Sequence, residues 1–383
     1  MFRMTETVFG KHIIDAFFEL LKAGLWKNHD EFHVSDFKFQ ESVDWDKVYQ
    51  LAEEQSVIGI VLDGIDHYKV NPPQDLLLQW IGEVQMLEQQ NKDMNVFVGK
   101  LIESMRNVGI YSLLLKGQGV AQCYERPLCR SCGDVDLFLS EDNYKKAVDY
   151  LVPLATDIEK EYKYNMHQAM TIDSWTVELH GSLRGGLSSK IDTALDDIKK
   201  NVFCGGNVRS WMNGKTQVFL LGVDNDIVYV FSHLLTHFYK EGLGLRQICD
   251  WCRLLWTYRC KIDVDLLEKR LREVGMMSEW KAFGAFAVYY LGMPYDAMPL
   301  YSADAKWKRK ADKICSLILE VGNMGHNRDM SYFEKYPYLI RKICSMGRRC
   351  RDLIRHARIF PMDSLRFFPR IMFNGLRSAV RGE

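Results

Sequence analysis

The sequence predicts an α+β protein, a small mixed β-sheet flanked by N-terminal and C-terminal helical regions. Three observations predict it: helical periodicity up to about residue 110, short apolar runs between turn residues from 110 to 183, and helical periodicity again after Asn225. With 383 residues, 47% of them hydrophobic and only 9 prolines, the chain can bury two or three packed units and lacks the composition of a disordered protein.

The first helix is expected in IIDAFFELL and the second in DWDKVYQLAEEQSVIGIVLDGI. There Val48, Leu51, Ala52 and Val57 recur on one face, with Asp44 or Asp46 as N-cap. Asn71, Pro72 and Pro73 end that pattern, and a long helix follows from Gln74 to Val108. After Gly109, IYSLLL reads as a buried strand. A short helix over Gln118–Tyr124, a loop containing Pro127 and a second strand, DVDLFL, come next. Ser140 caps the helix EDNYKKAVDYLV, whose first turn carries Glu141 and Asp142 where negative charge suits the helix dipole. A third strand is expected within Thr171–Leu183, and four helical segments from Asn225 to Leu291 complete the pattern. The expected division is 1–108 helical, 109–222 α/β core, 223–338 helical and 339–383 a basic tail.

Fifty basic residues balance fifty acidic ones, which removes any whole-protein attraction to nucleic acid or anionic membrane. The balance is uneven, because Arg341–Glu383 holds eleven Lys/Arg against three acids, a net of +8. Within it, Arg348, Arg351, Arg355 and Arg358 form one helical stripe that can meet an acidic partner or surface, or pack on the acidic body of the chain. Charged residues interrupt the opening MFRMTETVFGKHIIDAFFELL, and no uncharged run reaches the ~18 residues that span a bilayer. The expectation is a cytoplasmic protein without a transmembrane segment, its ten cysteines reduced.

The chemistry concentrates in Gly133-Asp134-Val135-Asp136-Leu137. Strand alternation turns Asp134 and Asp136 to one face and Val135 and Leu137 to the other. Neighbouring carboxylates repel, and a hard divalent cation relieves that repulsion. In Thr176-Val177-Glu178-Leu179-His180 the same alternation exposes Glu178 and His180, so two adjacent strands would present three carboxylates, the donor set of two-metal phosphoryl transfer. The turn in LLLKGQG can aim backbone N–H groups at a phosphate, with Lys116 and Gly117 at its start.

The ordered set LLLKGQGVAQCY, Arg130, GDVDLFL, VELHGSL, HLLTHF and GLRQICDW resembles the uncharacterised nucleotidyltransferase family of bacteria, a branch of the polymerase-beta-like superfamily, over residues 44–295. The resemblance implies a sheet on which Asp134, Asp136 and Glu178 bind Mg²⁺ or Mn²⁺, with the turn at Gly117 holding the triphosphate of an NTP. It implies transfer of an NMP to a hydroxyl of an acceptor, whether small molecule, protein or RNA end. Glu178 or His180 would serve as proton carrier. The superfamily's Gly-Ser is here Lys116-Gly117-Gln118-Gly119, and the loop RPLCRSCG lengthens the approach to Gly133 and Asp134. Lys116 and Arg130 can supply the missing phosphate contact, or Arg130 can pair with Asp134.

Arg246 and Asp250, four apart, suggest a helix pair, with Arg246 also a candidate for the triphosphate. His233 and His237 share one helix face with zinc-ligand spacing but no acidic residue after His233, which favours lining a cleft. Cys129/Cys132 and Cys249/Cys252 can hold zinc only if they meet in space; packed thiols are the simpler reading. The rival to catalysis is a non-catalytic nucleotide-binding or protein-interaction module that keeps the fold.

Overall fold

The computed structural model describes residues 10–26, 37, 39, 43–162, 165–325 and 337–381. Helix α1 (Lys11–Leu25) buries Phe17, Phe18, Leu20 and Leu21. The expected second helix is two helices, α2 (Trp45–Glu54) and α3 (Ile58–Tyr68), because Ser56 adopts a left-handed φ of 56° between them. Asp44 caps α2 by accepting from the backbone N–H of Lys47. Helices α1 and α3 cross closely: a Cβ on Gly24 would run into the carbonyl of Ile60, and one on Gly64 into the carbonyl of Leu20. Helix α4 (Gln74–Asn107) starts after Pro73 and runs unbroken for 34 residues, and the short helix expected over Gln118–Tyr124 is α5 (Gly117–Ala121).

All seven strands of the described residues lie between Ser112 and Leu221: β1 (Ser112–Leu115), β2 (Asp134–Leu139), β3 (Asp157–Ile158), β4 (His167–Ile172), β5 (Trp175–His180), β6 (Val208–Asn213) and β7 (Thr216–Leu221). Their order is β3-β4-β5-β2-β1-β7-β6, with β2–β5 and β1–β7 parallel and the other pairs antiparallel. The sheet is mixed, as expected. The expected third strand is a hairpin, β4–β5, turned by Asp173 and Ser174, both at positive φ as a two-residue type I′ turn requires. A second hairpin, β6–β7, turns at Gly214-Lys215 with Gly214 left-handed.

Alternation gives the sheet two different faces. On one, Leu114, Val135, Leu137, Leu139, Val177 and Leu179 pack with Met94, Phe97, Leu101 and Met105 of α4 and with Tyr144 and Ala147 of α6 (Glu141–Leu151). On the other, Leu113, Leu115 and Phe138 join a larger core built from α1–α3 and the later helices. Those are α7 (Ser189–Phe203), α8 (Val223–Lys240), α9 (Leu245–Tyr258), α10 (Val264–Val274), α11 (Met277–Leu291) and α12 (Ala305–Val321). Asp136, two residues before Phe138, lies on that second face.

The basic tail is two helices, α13 (Tyr338–Ala357) and α14 (Pro361–Arg381). His356 and Phe367 pack edge-on against Phe238 and Tyr239 of α8, Arg370 pairs with Asp192 of α7, and Arg355 with Glu320 of α12. Within the stripe of four arginines, Arg355 therefore packs on the body, while Arg351 and Arg358 stay exposed. No helix of the described residues is long and apolar enough to cross a membrane.

Candidate active site

A cleft of about 690 Å³ opens over the second sheet face and is walled by α8, α9 and the loops after β1 and β5. The parallel pairing of β2 with β5 sets Asp136 beside Glu178, with Asp134 one step along β2 on the same face. One oxygen from each of these carboxylates lies within 4.8 Å of the others. The period-two expectation thus brings Asp134, Asp136 and Glu178 together.

Lys116 stands at the end of β1, whose antiparallel pairing puts Leu115 opposite Asp136. Its Nζ lies 3.1 Å from Asp136 Oδ1, on a carboxylate that is 1% exposed. Burial disfavours charge on both groups, but each outweighs it for the other: Lys116 is held protonated well above the lysine range, and Asp136 is held ionised below the carboxylate range. Asp134 moves the other way, raised by the charge of Asp136 and then by burial.

His180 Nε2 lies 2.8 Å from Asp136 Oδ1 and 3.4 Å from Glu178 Oε2. Burial opposes its charge, yet the bonds to Asp136 and Glu178 prevail and raise its pKa. Its proton is already shared with two carboxylates, so it orients them. His167, from β4, reaches Glu178 Oε2 at 3.1 Å. Burial works against the Glu178 carboxylate, but the two histidines hold it far below the usual range.

On α8, His233 Nε2 contacts Lys116 Nζ at 3.3 Å and His237 Nε2 at 2.9 Å, and His237 Nδ1 lies 2.9 Å from Glu241. Both histidines line the cleft. Burial, then Lys116 and His237, push His233 well below the usual histidine value, which leaves it neutral.

The loop before β2 departs from expectation. Arg130 pairs with Asp250 of α9 rather than Asp134, donating from Nε at 3.0 Å and Nη2 at 2.6 Å. Asp250 also accepts from Tyr124, so the expected Arg246–Asp250 pair gives way, and Arg246 Nη1 donates to the carbonyl of Ser131 at 2.8 Å. Arg130, Arg246 and Gly133 all line the cleft. Arg130 Nη1 is buried and has no hydrogen-bond partner among the described residues. Gly117 has φ 38° and follows Lys116 at φ 43°, and its missing Cβ would touch Cys132 Sγ. Cys129, Cys132, Cys249 and Cys252 are buried free thiols; Cys129 contacts Glu88 and Cys132 the carbonyl of Asp134.

His167 carries no motif in EYKYNMHQAM. Its place in the site follows from the β4–β5 register, which sets it opposite His180. Tyr229, also lining the cleft, sits within an ordinary apolar helical run.

A mixed sheet flanked by helices, with three carboxylates on the face beneath a cleft, defines an α+β nucleotidyltransferase fold. A match to the uncharacterised nucleotidyltransferase family spans residues 41–291, and the chain belongs to that family. Comparison with curated proteins and with solved structures finds no match.

Proposed function

We propose that the protein is a divalent-metal-dependent nucleotidyltransferase that moves an NMP from an NTP to a hydroxyl of an acceptor and releases pyrophosphate. The observation that carries this reading is the convergence of Asp134, Asp136 and Glu178 at the floor of the cleft. The donor set fits the ion: three hard oxygens, with Asp134 raised by the neighbouring charge of Asp136. Asp134, Asp136 and Glu178 would hold Mg²⁺ or Mn²⁺. When bound, the ion would neutralise charge on the transferring phosphoryl group and acidify the attacking hydroxyl.

The chain's own residues do the rest. Lys116 contributes a fixed cation beside the carboxylates, and Gly117 and Gly133 keep side chains away from the phosphate path. Arg130 and Arg246 place guanidinium groups on the wall of the cleft, Arg130 with a donor still to satisfy. His180 keeps Asp136 and Glu178 turned toward each other. Residues 109–222 then form the catalytic core, and helices of 223–338 close the cleft over it. The acceptor enters past Tyr162, Asn165, Ser182 and Thr236, which offer hydroxyl and amide groups.

Incubation with each of the four NTPs and Mg²⁺ or Mn²⁺, reading pyrophosphate release and nucleotide affinity, tests this. Turnover with at least one NTP is expected. Nucleotide binding without turnover under any metal and acceptor mixture would favour the non-catalytic module.

A further inference from the structure

Two histidines beside the carboxylates are not used as ligands in the proposed activity. In the β4–β5 hairpin His167 stands directly opposite His180, and both face the same side as Glu178. Their rings are 4.8 Å apart, and both Nε2 atoms converge on one oxygen: Glu178 Oε2 lies 3.1 Å from His167 and 3.4 Å from His180. An ion with bonds of about 2.0 to 2.2 Å separates neighbouring ligands by roughly 3.0 to 3.5 Å, the range of these two edges. All three side chains are partly open to the cleft, at 24%, 26% and 15% exposure, which gives an ion a route in.

We propose that His167, Glu178 and His180 form a second metal site, for a first-row transition ion such as Mn²⁺, Co²⁺ or Zn²⁺, sharing Glu178 with the oxygen-only site. Two imidazoles and one carboxylate suit borderline ions, whereas Asp134, Asp136 and Glu178 suit Mg²⁺. The hairpin that supplies His167 therefore makes the two halves of the centre chemically unequal. Glu178 is the only residue common to both, and Asp136, 2.8 Å from His180 Nε2, sits at their boundary. The His167–Glu178 hydrogen bond and the 3.4 Å approach of His180 to the same oxygen are the metal-free form of the site, in which ring N–H groups take the place of the ion. The link to catalysis rests on the proposed function; the binding of the ion does not.

The test uses chelator-stripped full-length protein titrated with Co²⁺, whose visible bands report nitrogen ligation. One Co²⁺ per chain is expected, displaced by Zn²⁺ and little affected by tenfold excess Mg²⁺. The His167→Gln variant should lose at least about tenfold in Co²⁺ affinity, the scale of disturbing a metal's ligand shell. As a check independent of any variant, the Mn²⁺-loaded wild type should show imidazole nitrogen couplings in its electron spin-echo spectrum. Equal displacement by Mg²⁺, unchanged affinity in His167→Gln, or absent nitrogen couplings would each overturn the site. Co²⁺ binding as described with no NTP turnover would instead overturn the nucleotidyl-transfer reading and leave this site standing.

Discussion

Lys116 and Asp136 form a 3.1 Å ion pair between the first residue after β1 and the middle of β2, sealed on the protein side by an aspartate that is 1% exposed. A buried pair is costly to break from one side, because the survivor keeps its charge without its partner. It also puts a cation at the point where the three carboxylates gather.

The first prediction follows from that position. Lys116→Ala should act chiefly on nucleotide affinity, raising KM by about 10 to 100-fold with kcat changed only a few-fold, because a phosphate contact made before and during reaction is uniform binding. Steady-state kinetics at saturating metal measure it. A loss confined to kcat would place Lys116 in the chemical step.

Arg130 and Asp250 make the second prediction. Their two-point contact is buried, so Arg130→Ala should destabilise by about 3 to 5 kcal/mol, and Arg130→Lys should recover little because an ammonium cannot match the fork. Denaturant unfolding of the two variants reads this directly. A fully stable Arg130→Lys would show that charge alone suffices there.

The close crossing of α1 and α3 gives a third. Gly64→Ala would drive a methyl into the backbone of Leu20, and overpacking of this kind costs about 1 to 3 kcal/mol or more. Thermal unfolding should show a clear drop, whereas Gly82→Ala on α4, where a Cβ meets nothing, should hold or gain stability.

Much of the site was legible because strand period is short and local. GDVDLFL and TVELH each announce which carboxylates share a face, and the structure places them as the alternation says. Turns made by non-glycine residues were not legible: Ser56, Asp173 and Ser174 take positive φ without the glycine that usually signals it. The β6–β7 hairpin does carry a local signal, Gly214 opening the two-residue turn Gly214-Lys215 between alternating residues. Long-range pairs left no trace at all. Arg130 meets Asp250 across 120 positions, and His167 joins the site only through its strand partner.

Glu279 supplies the pH prediction. It is 0% exposed, Tyr239 donates to its Oε1 at 2.9 Å, and its Oε2 has no hydrogen-bond partner among the described residues. Burial, helped by Asp363, pushes its carboxyl from an ordinary 4.5 up to about 8. The folded state therefore keeps a proton that the unfolded chain releases. Its stability contribution is full below pH 4.5, falls between 4.5 and 8, and is lost above that. The slope is at most about 1.4 kcal/mol per pH unit. Glu279→Gln should flatten that decline, gaining on the wild type at pH 8 more than at pH 5, as denaturant unfolding at both values would show. Parallel curves would contradict the assignment.

If Asp134, Asp136 and Glu178 form the metal platform for nucleotidyl transfer, Asp136→Asn must cripple it. The change keeps size and shape while removing one ligand charge. With an NTP and Mg²⁺ or Mn²⁺, pyrophosphate release should fall by at least about 10³-fold, close to 4 kcal/mol of transition-state stabilisation, in a protein whose fold is verified by circular dichroism. Turnover that survives Asp136→Asn unchanged would show that these carboxylates are not the metal platform.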